Sequence, residues 1–153
     1  MAKQIWVQKE IFLKPQIRGF HLVSSEVLEQ LPELQAFAVG VAHFFLQHTS
    51  ASITVSENAD PSVRDDLESS FNQLAPENAG YYTHVFEGAD DMPAHVKTVL
   101  IGNDLTLPIG SGRLLLGLWQ GLYLCEHRNH ASGRVLIVTL NGEEFGDEDA
   151  SKN

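Results

Sequence analysis

The stretch whose side chains offer the most chemistry is residues 48–66, HTSASITVSENADPSVRDD. It begins at His48, alternates apolar and hydroxyl residues as a half-buried strand does, and then reaches a polar turn containing Asn58. Asp60 is a good helix N-cap and Pro61 suits the first helical position, so a helix is predicted to follow the turn. An imidazole, hydroxyls, an amide, a carboxylate and free backbone N–H groups are the components of a site for a metal ion or an anionic ligand.

Three of the seven histidines are candidate ligands: His48, His84 and His95. Each is predicted to lie at the end or start of an element, with hydroxyl or carboxylate neighbours that can orient its second ring nitrogen. Three imidazoles and an open coordination position suit Zn²⁺ or a similar divalent ion, although the separations along the chain match no short metal motif.

Four other histidines are interpreted without a ligand role. His21 and His43 fall within predicted strands, where an imidazole with satisfied hydrogen bonds is the simpler interpretation. His127 and His130 lie in the segment HRNHASG and are interpreted as exposed turn residues.

Five carboxylates are explained by helix starts, because the helix dipole favours negative charge there. They are Asp60, Asp65, Asp66, Asp90 and Asp91. Glu126 differs, since it closes a strongly apolar strand and lies either at the mouth of a pocket or at a solvated strand end. A general-base role for it requires burial that raises its pKa towards neutrality. Neither Ser50, which lacks Gly-x-Ser-x-Gly surroundings, nor Cys125, which lies in the apolar strand, is expected to be a nucleophile.

The elements that position these residues are mostly strands. The segment 36–47 is almost continuously apolar, which predicts a central strand buried on both faces. Because the helices do not alternate regularly with the strands, the pattern predicts an α+β domain, β-dominated and mostly antiparallel, with about three short helices. Strands are predicted over 4–13, 19–23, 36–47, 50–56, 105–109, 113–126 and 134–140, and helices from 24 or 25 to about 31, over 61–75, and from 90 or 91 to about 101.

Composition limits the protein class. The chain has 153 residues, of which 43% are hydrophobic, enough for one domain, predicted over residues 1–142. Residues 143–153 are rich in acid and are predicted to be a disordered tail. A net charge of −10 argues against nucleic acid as a partner. The single cysteine indicates a reducing compartment, and without a signal peptide or an apolar run of membrane-spanning length we expect a cytoplasmic protein with no membrane partner.

Taken together, the polar segments resemble the YjbQ-like family, also called the secondary thiamine-phosphate synthase family. The resemblance extends from about residue 4 to residue 142, and the motifs occur in the family's order with compatible spacing. Ser56 is a departure, because the family usually has Asn there. The segments that carry the resemblance are 48–52, 57–61 with Asp65 or Asp66, 90–97, and 117–121 with Glu126.

The resemblance implies a small domain like a two-sheet β-sandwich that assembles as a homotrimer, with polar clefts near the subunit boundaries. It implies that His48, His84 and His95 gather around a metal ion or a phosphate, and that Glu126 is a further ligand or a base. His48, His95 and Glu126 are then the expected catalytic residues. The residues expected to bind the anionic oxygens of a substrate are Thr49, Ser50, Asn58, Lys97, Gln120 and Arg134.

The implied activity is a weak thiamine-phosphate synthase, a transferase that joins a pyrimidine diphosphate to a thiazole phosphate and releases pyrophosphate. Its partner would be a small phosphorylated metabolite, and its site would need a cation and hydrogen-bond donors for the leaving diphosphate. A three-histidine site favours a zinc-like ion, whereas Mg²⁺, the other candidate, prefers oxygen ligands. The alternatives are a non-catalytic trimeric protein that binds a metal or a phosphometabolite, and a metal-dependent hydrolase.

Overall fold

The computed structural model describes residues 2–146, which contain eight β-strands, three α-helices and one short 3₁₀ helix. The strands are β1 (Gln4–Leu13), β2 (Gly19–Leu22), β3 (Phe37–Leu46), β4 (Ala51–Glu57), β5 (Asp104–Gly110), β6 (Arg113–Leu114), β7 (Gln120–Glu126) and β8 (Arg134–Glu144). The helices are α1 (Ser24–Glu29), α2 (Pro61–Leu74) and α3 (Asp91–Ile101), and the 3₁₀ helix is Pro32–Ala36.

The strands form two sheets. One has five strands in the order β1-β8-β3-β5-β6, and the other has three in the order β2-β7-β4. Every strand pairing among the described residues is antiparallel. The prediction of a β-dominated, antiparallel α+β domain with two sheets and three helices is therefore confirmed.

Alternation along β7 explains how the layers pack. Leu122 and Leu124 face the main core, which they share with apolar residues of the five-stranded sheet and α1. Tyr123 and Cys125 point to the opposite face of β7, where they form a smaller cluster with apolar side chains of α2 and α3. The small sheet thus lies between the five-stranded sheet on one side and α2 and α3 on the other.

The prediction that β3 is buried on both faces is wrong. Ala42, Phe44 and Leu46 face the core, whereas Val39 and Phe45 on the opposite face are 53% and 42% exposed. The continuous apolar run therefore does not report burial on two sides here, because no described element covers the outer face of the five-stranded sheet.

The predicted strand 113–126 is two strands, β6 and β7, separated by a turn. The Gln120 side-chain oxygen accepts a hydrogen bond from the backbone N–H of Gly117 at 2.8 Å, which closes the turn. Asn58 Nδ2 donates to the carbonyl oxygens of Leu118 at 3.2 Å and Gln120 at 3.1 Å, which ties the turn to the end of β4.

Of the side-chain N-caps predicted for α1 and α2, the structure contains the one for α2 and lacks the one for α1. The Asp60 carboxylate accepts a hydrogen bond from the Ser62 backbone N–H at 2.9 Å, as predicted for the N-cap of α2. Ser24, in contrast, does not cap α1, because its hydroxyl accepts a hydrogen bond from the backbone N–H of Leu122 in the neighbouring sheet.

Two glycines face each other where β3 and β8 pair. Gly40 is the register partner of Gly142, and a Cβ atom on Gly40 would lie 2.3 Å from the Asn141 carbonyl oxygen. A Cβ atom on Gly142 would lie 2.1 Å from the Val39 carbonyl oxygen. The two backbones are too close for any side chain at this pair.

The boundary between the domain and the tail, predicted at residues 142 and 143, falls within the last strand. β8 continues to Glu144, so the first residues of the segment predicted as a tail belong to a strand. The rest of the predicted tail, from residue 147 onwards, lies outside the described residues. Among residues 2–146 no helix has both the length and the apolar character needed to cross a membrane.

Candidate functional site

Three side chains that can bind a metal ion lie together at the start of α3. Asp91 and His95 are one helical turn apart and share a face of α3, and His84 reaches them from the preceding loop. Asp91 Oδ2 is 2.6 Å from His84 Nε2 and 3.2 Å from His95 Nε2. The ligand atoms of the three residues lie within 4.8 Å of one another, and we call this group the triad.

The triad is compatible with a tetrahedral zinc-like ion. Two imidazole nitrogens and one carboxylate oxygen are a known ligand set for catalytic zinc, with the fourth position open. Bonds of about 2.0–2.1 Å place the ligand atoms of such an ion about 3.3 Å apart, so the contact between Asp91 and His84 must widen slightly. His84 can allow this widening, because it comes from a loop and its side chain is 48% exposed, against 2% for Asp91.

The ring of His95 is oriented for ligation by a backbone carbonyl. Its Nδ1 atom lies 2.8 Å from the Thr49 carbonyl oxygen, which can only accept a hydrogen bond. We therefore assign the proton to Nδ1, which leaves the lone pair of the neutral ring on Nε2, the atom that faces Asp91. A carbonyl behind a histidine ligand is a common supporting contact in metal sites.

Arg128 supports the triad from behind. Its Nη1 atom donates a hydrogen bond to Asp91 Oδ1, its Nε atom donates to Asp90 Oδ2 at 2.9 Å, and its Nη2 atom donates to the Glu87 carbonyl oxygen at 2.8 Å. One oxygen of Asp91 is thereby fixed, and the other is directed at the two histidines.

Asp91 is an ionised carboxylate in this setting. Burial by itself would raise the pKa of Asp91, but hydrogen bonds, chiefly the one with His84, and the positive charge of Arg128 outweigh burial and lower it. An ionised Asp91 provides the negative charge that a cation between the two histidines requires.

His48, the third predicted imidazole, is not part of the triad. Its Nε2 atom accepts a hydrogen bond from the Val135 backbone N–H at 2.8 Å, which leaves Nδ1 for any other partner. Partial burial, followed by the charge of Arg134, lowers the pKa of His48, and Glu126 opposes this effect. His48 is therefore a neutral imidazole near physiological pH, and its role as a metal ligand stays a prediction.

Glu126 is fully buried, and it forms a two-point ion pair with Arg134. Arg134 Nε donates to Glu126 Oε1 at 2.7 Å and Arg134 Nη2 donates to Oε2 at 2.5 Å. The Arg128 backbone N–H also donates to Oε2, at 3.1 Å. The two predicted site residues, Glu126 and Arg134, are thus paired with each other. Glu126 is the last residue of β7, and the loop that follows it carries Arg128.

Lys97 is fully buried on α3 and donates a hydrogen bond to Asn72 Oδ1 at 2.6 Å. Burial, followed by the charge of Arg18, lowers the pKa of Lys97. Thr49 and Ser50 contact the site through their carbonyl oxygens, which accept from His95 Nδ1 and Arg134 Nη2 respectively.

Asn58 and Gln120 lie at the other end of β4. In the β4–β7 pairing, Ala51 is opposite Glu126, and Glu57 is opposite Gln120. At about 3.3 Å per residue, these two ends are about 20 Å apart. The structure therefore brings His84 and His95 together beside Thr49, at the start of β4, and leaves the polar turn of Asn58 and Asp60 at its far end.

The interpretation of His127 as an exposed turn residue is wrong, whereas His130 is exposed as predicted. His127 is 1% exposed, and its Nε2 atom lies 2.9 Å from the Ser52 hydroxyl. Its Nδ1 atom is buried without a hydrogen-bond partner among the described residues. His127 follows the last residue of β7, Glu126, and its backbone N–H still donates to the Ser50 carbonyl oxygen at 3.3 Å, so the chain stays beside the small sheet at this residue.

Two residues of the site were missed by sequence reasoning. Asp91 was assigned to the helix start, although its spacing of four residues from His95 places both on one helix face and was a usable signal. Arg128 lies in the polar turn, and its contacts with Asp90 and Asp91 are 38 and 37 residues distant along the chain, so no local pattern indicated them.

Comparison with known proteins identifies the family. The family model described as UPF0047 protein YjbQ-like matches residues 9–143. The chain belongs to the YjbQ/UPF0047 family. The UPF0047 protein YjbQ of Escherichia coli O157:H7 is 49% identical over 139 residues, which cover 91% of this chain and 100% of that protein. UPF0047 protein sll1880 of Synechocystis sp. is 40% identical over 136 residues, which cover 89% of this chain and 92% of the relative.

Solved structures of YjbQ-like proteins have the same fold. A crystal structure from Clostridium acetobutylicum, described as an uncharacterized conserved protein of the YjbQ/UPF0047 family, has a TM-score of 0.75 at 32% identity and covers 86% of this chain and 98% of its own. A YbjQ-like protein of unknown function from Sulfolobus solfataricus P2 has a TM-score of 0.81 at 20% identity and covers 92% of this chain and 100% of its own.

Proposed function

We propose that this YjbQ family protein binds a zinc-like divalent cation at the triad and uses the site to bind a phosphorylated small molecule. The observation that carries the proposal is the meeting of His84 Nε2, His95 Nε2 and Asp91 Oδ2 within 4.8 Å, beside the solvent-exposed face of His84. A bound cation supplies Lewis-acid stabilisation of phosphate oxygens.

The residues of the chain contribute orientation and charge. The Thr49 carbonyl holds the proton of His95 on Nδ1, and Arg128 holds one oxygen of Asp91, so two of the three ligand atoms are fixed before any ligand arrives. His48 lies one residue before Thr49, and we propose that it contacts the substrate as a neutral hydrogen-bonding group.

The specific reaction that we propose is thiamine-phosphate synthesis, in which pyrimidine diphosphate loses pyrophosphate and thiazole phosphate captures the pyrimidine-methyl cation. Support for this reaction comes from the family resemblance, and from a site that can provide a cation for a diphosphate leaving group. The carbocation itself would be favoured by the carboxylate of Glu87, which lies 3.6 Å from His84 at the edge of the triad.

Metal analysis of the untagged protein tests the metal site. We expect close to one zinc ion per chain, and we expect His95→Ala and Asp91→Asn to reduce the zinc affinity by at least about tenfold. His130→Ala and Asp65→Asn are matched controls, because both residues are exposed and neither belongs to the triad. Equal zinc affinity in the wild type and both triad variants would refute the metal site.

An assay of thiamine phosphate formation tests the reaction. We expect product from pyrimidine diphosphate and thiazole phosphate in the zinc-loaded wild type and in His130→Ala, and a loss of at least about a hundredfold in His95→Ala. Zinc binding without product would leave a non-catalytic binder, and release of phosphate from a phosphate ester would identify a hydrolase. Either result would exclude the proposed synthase while keeping the metal site.

A further inference from the structure

A cavity of about 340 Å³ opens beside the triad, and it is within the size range of small-molecule sites. We call it the loop pocket, because most of its wall comes from the chain between α2 and α3. His84 belongs to both the triad and the loop pocket, so a ligand in the pocket lies next to the proposed cation.

The lining of the loop pocket contains no lysine, arginine or carboxylate side chain among the described residues. It combines the ring of Tyr82 and the side chains of Val85 and Met92 with small residues, among them Ala79 and Ala89. The Asn78 amide and the His84 imidazole also line the pocket, so its surface is of mixed polarity. It suits an uncharged ring that carries hydrogen-bonding groups, and it provides no cation for a phosphate.

The surroundings of the triad also disfavour an anion until a cation is present. Glu87, Asp90 and Asp91 contribute three carboxylates, and Arg128, which contacts the last two, is the nearby guanidinium that offsets part of their charge. The cations predicted to bind phosphate are committed elsewhere, because Lys97 is buried against Asn72 and Arg134 is paired with Glu126.

We infer that the loop pocket holds the uncharged ring or alkyl part of a phosphorylated substrate, whose phosphate oxygens are bound at the metal-loaded triad. The inference rests on the proposed function and names the substrate class of that site. It divides the ligand into two parts, with the charged part bound at the triad and the uncharged part in the loop pocket, which Tyr82 and Met92 help to line. It also gives an order of binding, in which the cation precedes the phosphate.

Calorimetric titration of the zinc-loaded protein with phenyl phosphate and with inorganic phosphate tests the inference. In the wild type, burial of the ring should make phenyl phosphate bind at least about tenfold more tightly than inorganic phosphate. Metal-free protein should bind neither compound. Ala89→Leu and Ala79→Leu each add bulk at a residue that lines the pocket, and each should remove the preference while leaving the affinities for zinc and inorganic phosphate unchanged.

Ala59→Leu is the matched control, because it makes the same substitution at an exposed alanine in the turn before α2 and should keep the preference. Equal affinity for the two phosphates in the zinc-loaded wild type would overturn the inference and leave the proposed metal site intact. A preference that persists in both filled variants would also overturn it. If the wild type binds no zinc, the proposed function fails, and this inference fails with it.

Discussion

His127 is a neutral imidazole held inside the protein between Ser52 and two buried cations. Burial, followed by the positive charges of Lys97, Arg134 and Arg18, lowers the pKa of His127 from an ordinary value of 6.5 to about 3. The unfolded chain therefore binds a proton at this residue below about pH 6.5, whereas the folded protein does not bind it until about pH 3.

This difference predicts a loss of stability in mild acid. The contribution of His127 is fully present above pH 6.5 and decreases as the pH falls towards 3, and the loss at pH 5 should be about 2 kcal/mol of unfolding free energy. Urea unfolding at pH 7.5 and pH 5 should show this loss in the wild type and its disappearance in His127→Asn.

His130→Asn is the control for that measurement, because His130 lies in the same turn but is exposed. It should keep the pH dependence of the wild type. Identical pH dependence in the wild type and His127→Asn would contradict the prediction.

At the scale of elements, β4 separates the triad, which lies near its first residue, from the N-terminal cap of α2, which lies beyond its last residue. Its first residue, Ala51, follows the Thr49 carbonyl that orients His95, and its last residue, Glu57, precedes the turn that caps α2. The two ends are about 20 Å apart. Substitutions at the end near α2 should therefore alter stability without altering the metal site.

Asp60→Ala tests this separation. The substitution removes the side-chain oxygen that accepts the Ser62 N–H, and we expect it to lower the urea midpoint of unfolding. Its zinc affinity should equal that of the wild type, in contrast to His95→Ala. A change of zinc affinity beyond about threefold in Asp60→Ala would show that the cap and the triad are coupled.

The sequence predicted correctly those elements that are determined by interactions between residues close together in the chain. The Asp60–Pro61 start of α2 and the alternation of β4 depend on near neighbours, and both were confirmed. The exposure of one face of β3 and the burial of His127 depend on which other elements pack against them. The pattern of apolar and polar residues along the sequence does not contain that information. The triad combines both cases, since Asp91 and His95 share a helix face while His84 arrives through a loop whose path only the fold sets.

At the scale of the whole molecule, the outer face of the five-stranded sheet carries several exposed apolar side chains. Trp6 and Val41, 73% and 46% exposed, lie on either side of Asn141, and Phe12 and Phe45 lie further along the same face. Large exposed apolar side chains concentrated on one face are typical of an interface between proteins. Together with the family resemblance, it leads us to propose a homotrimer that uses this face.

Light scattering coupled to size-exclusion chromatography checks the assembly. We expect three times the chain mass of 16.9 kDa for the wild type and a shift to the single-chain mass in Val41→Lys, because burying an unpaired lysine in an interface is unfavourable. Leu74→Lys is the control, since Leu74 is a 65% exposed apolar residue on α2, away from this face. A single-chain mass for the wild type would rule out the trimer.

The close approach of Gly40 and Gly142 fixes which residues meet at the opposite end of the same two strands. β3 leads to His48, and β8 begins at Arg134. The register of β3 against β8 therefore decides which backbone N–H donates to the His48 ring, and in this structure it is that of Val135. A slip by one residue would turn Arg134 to the opposite side of the sheet and separate it from Glu126. The glycine pair thus favours one register of β3 against β8, because a shifted strand would place a side chain where the two backbones leave room only for hydrogen atoms.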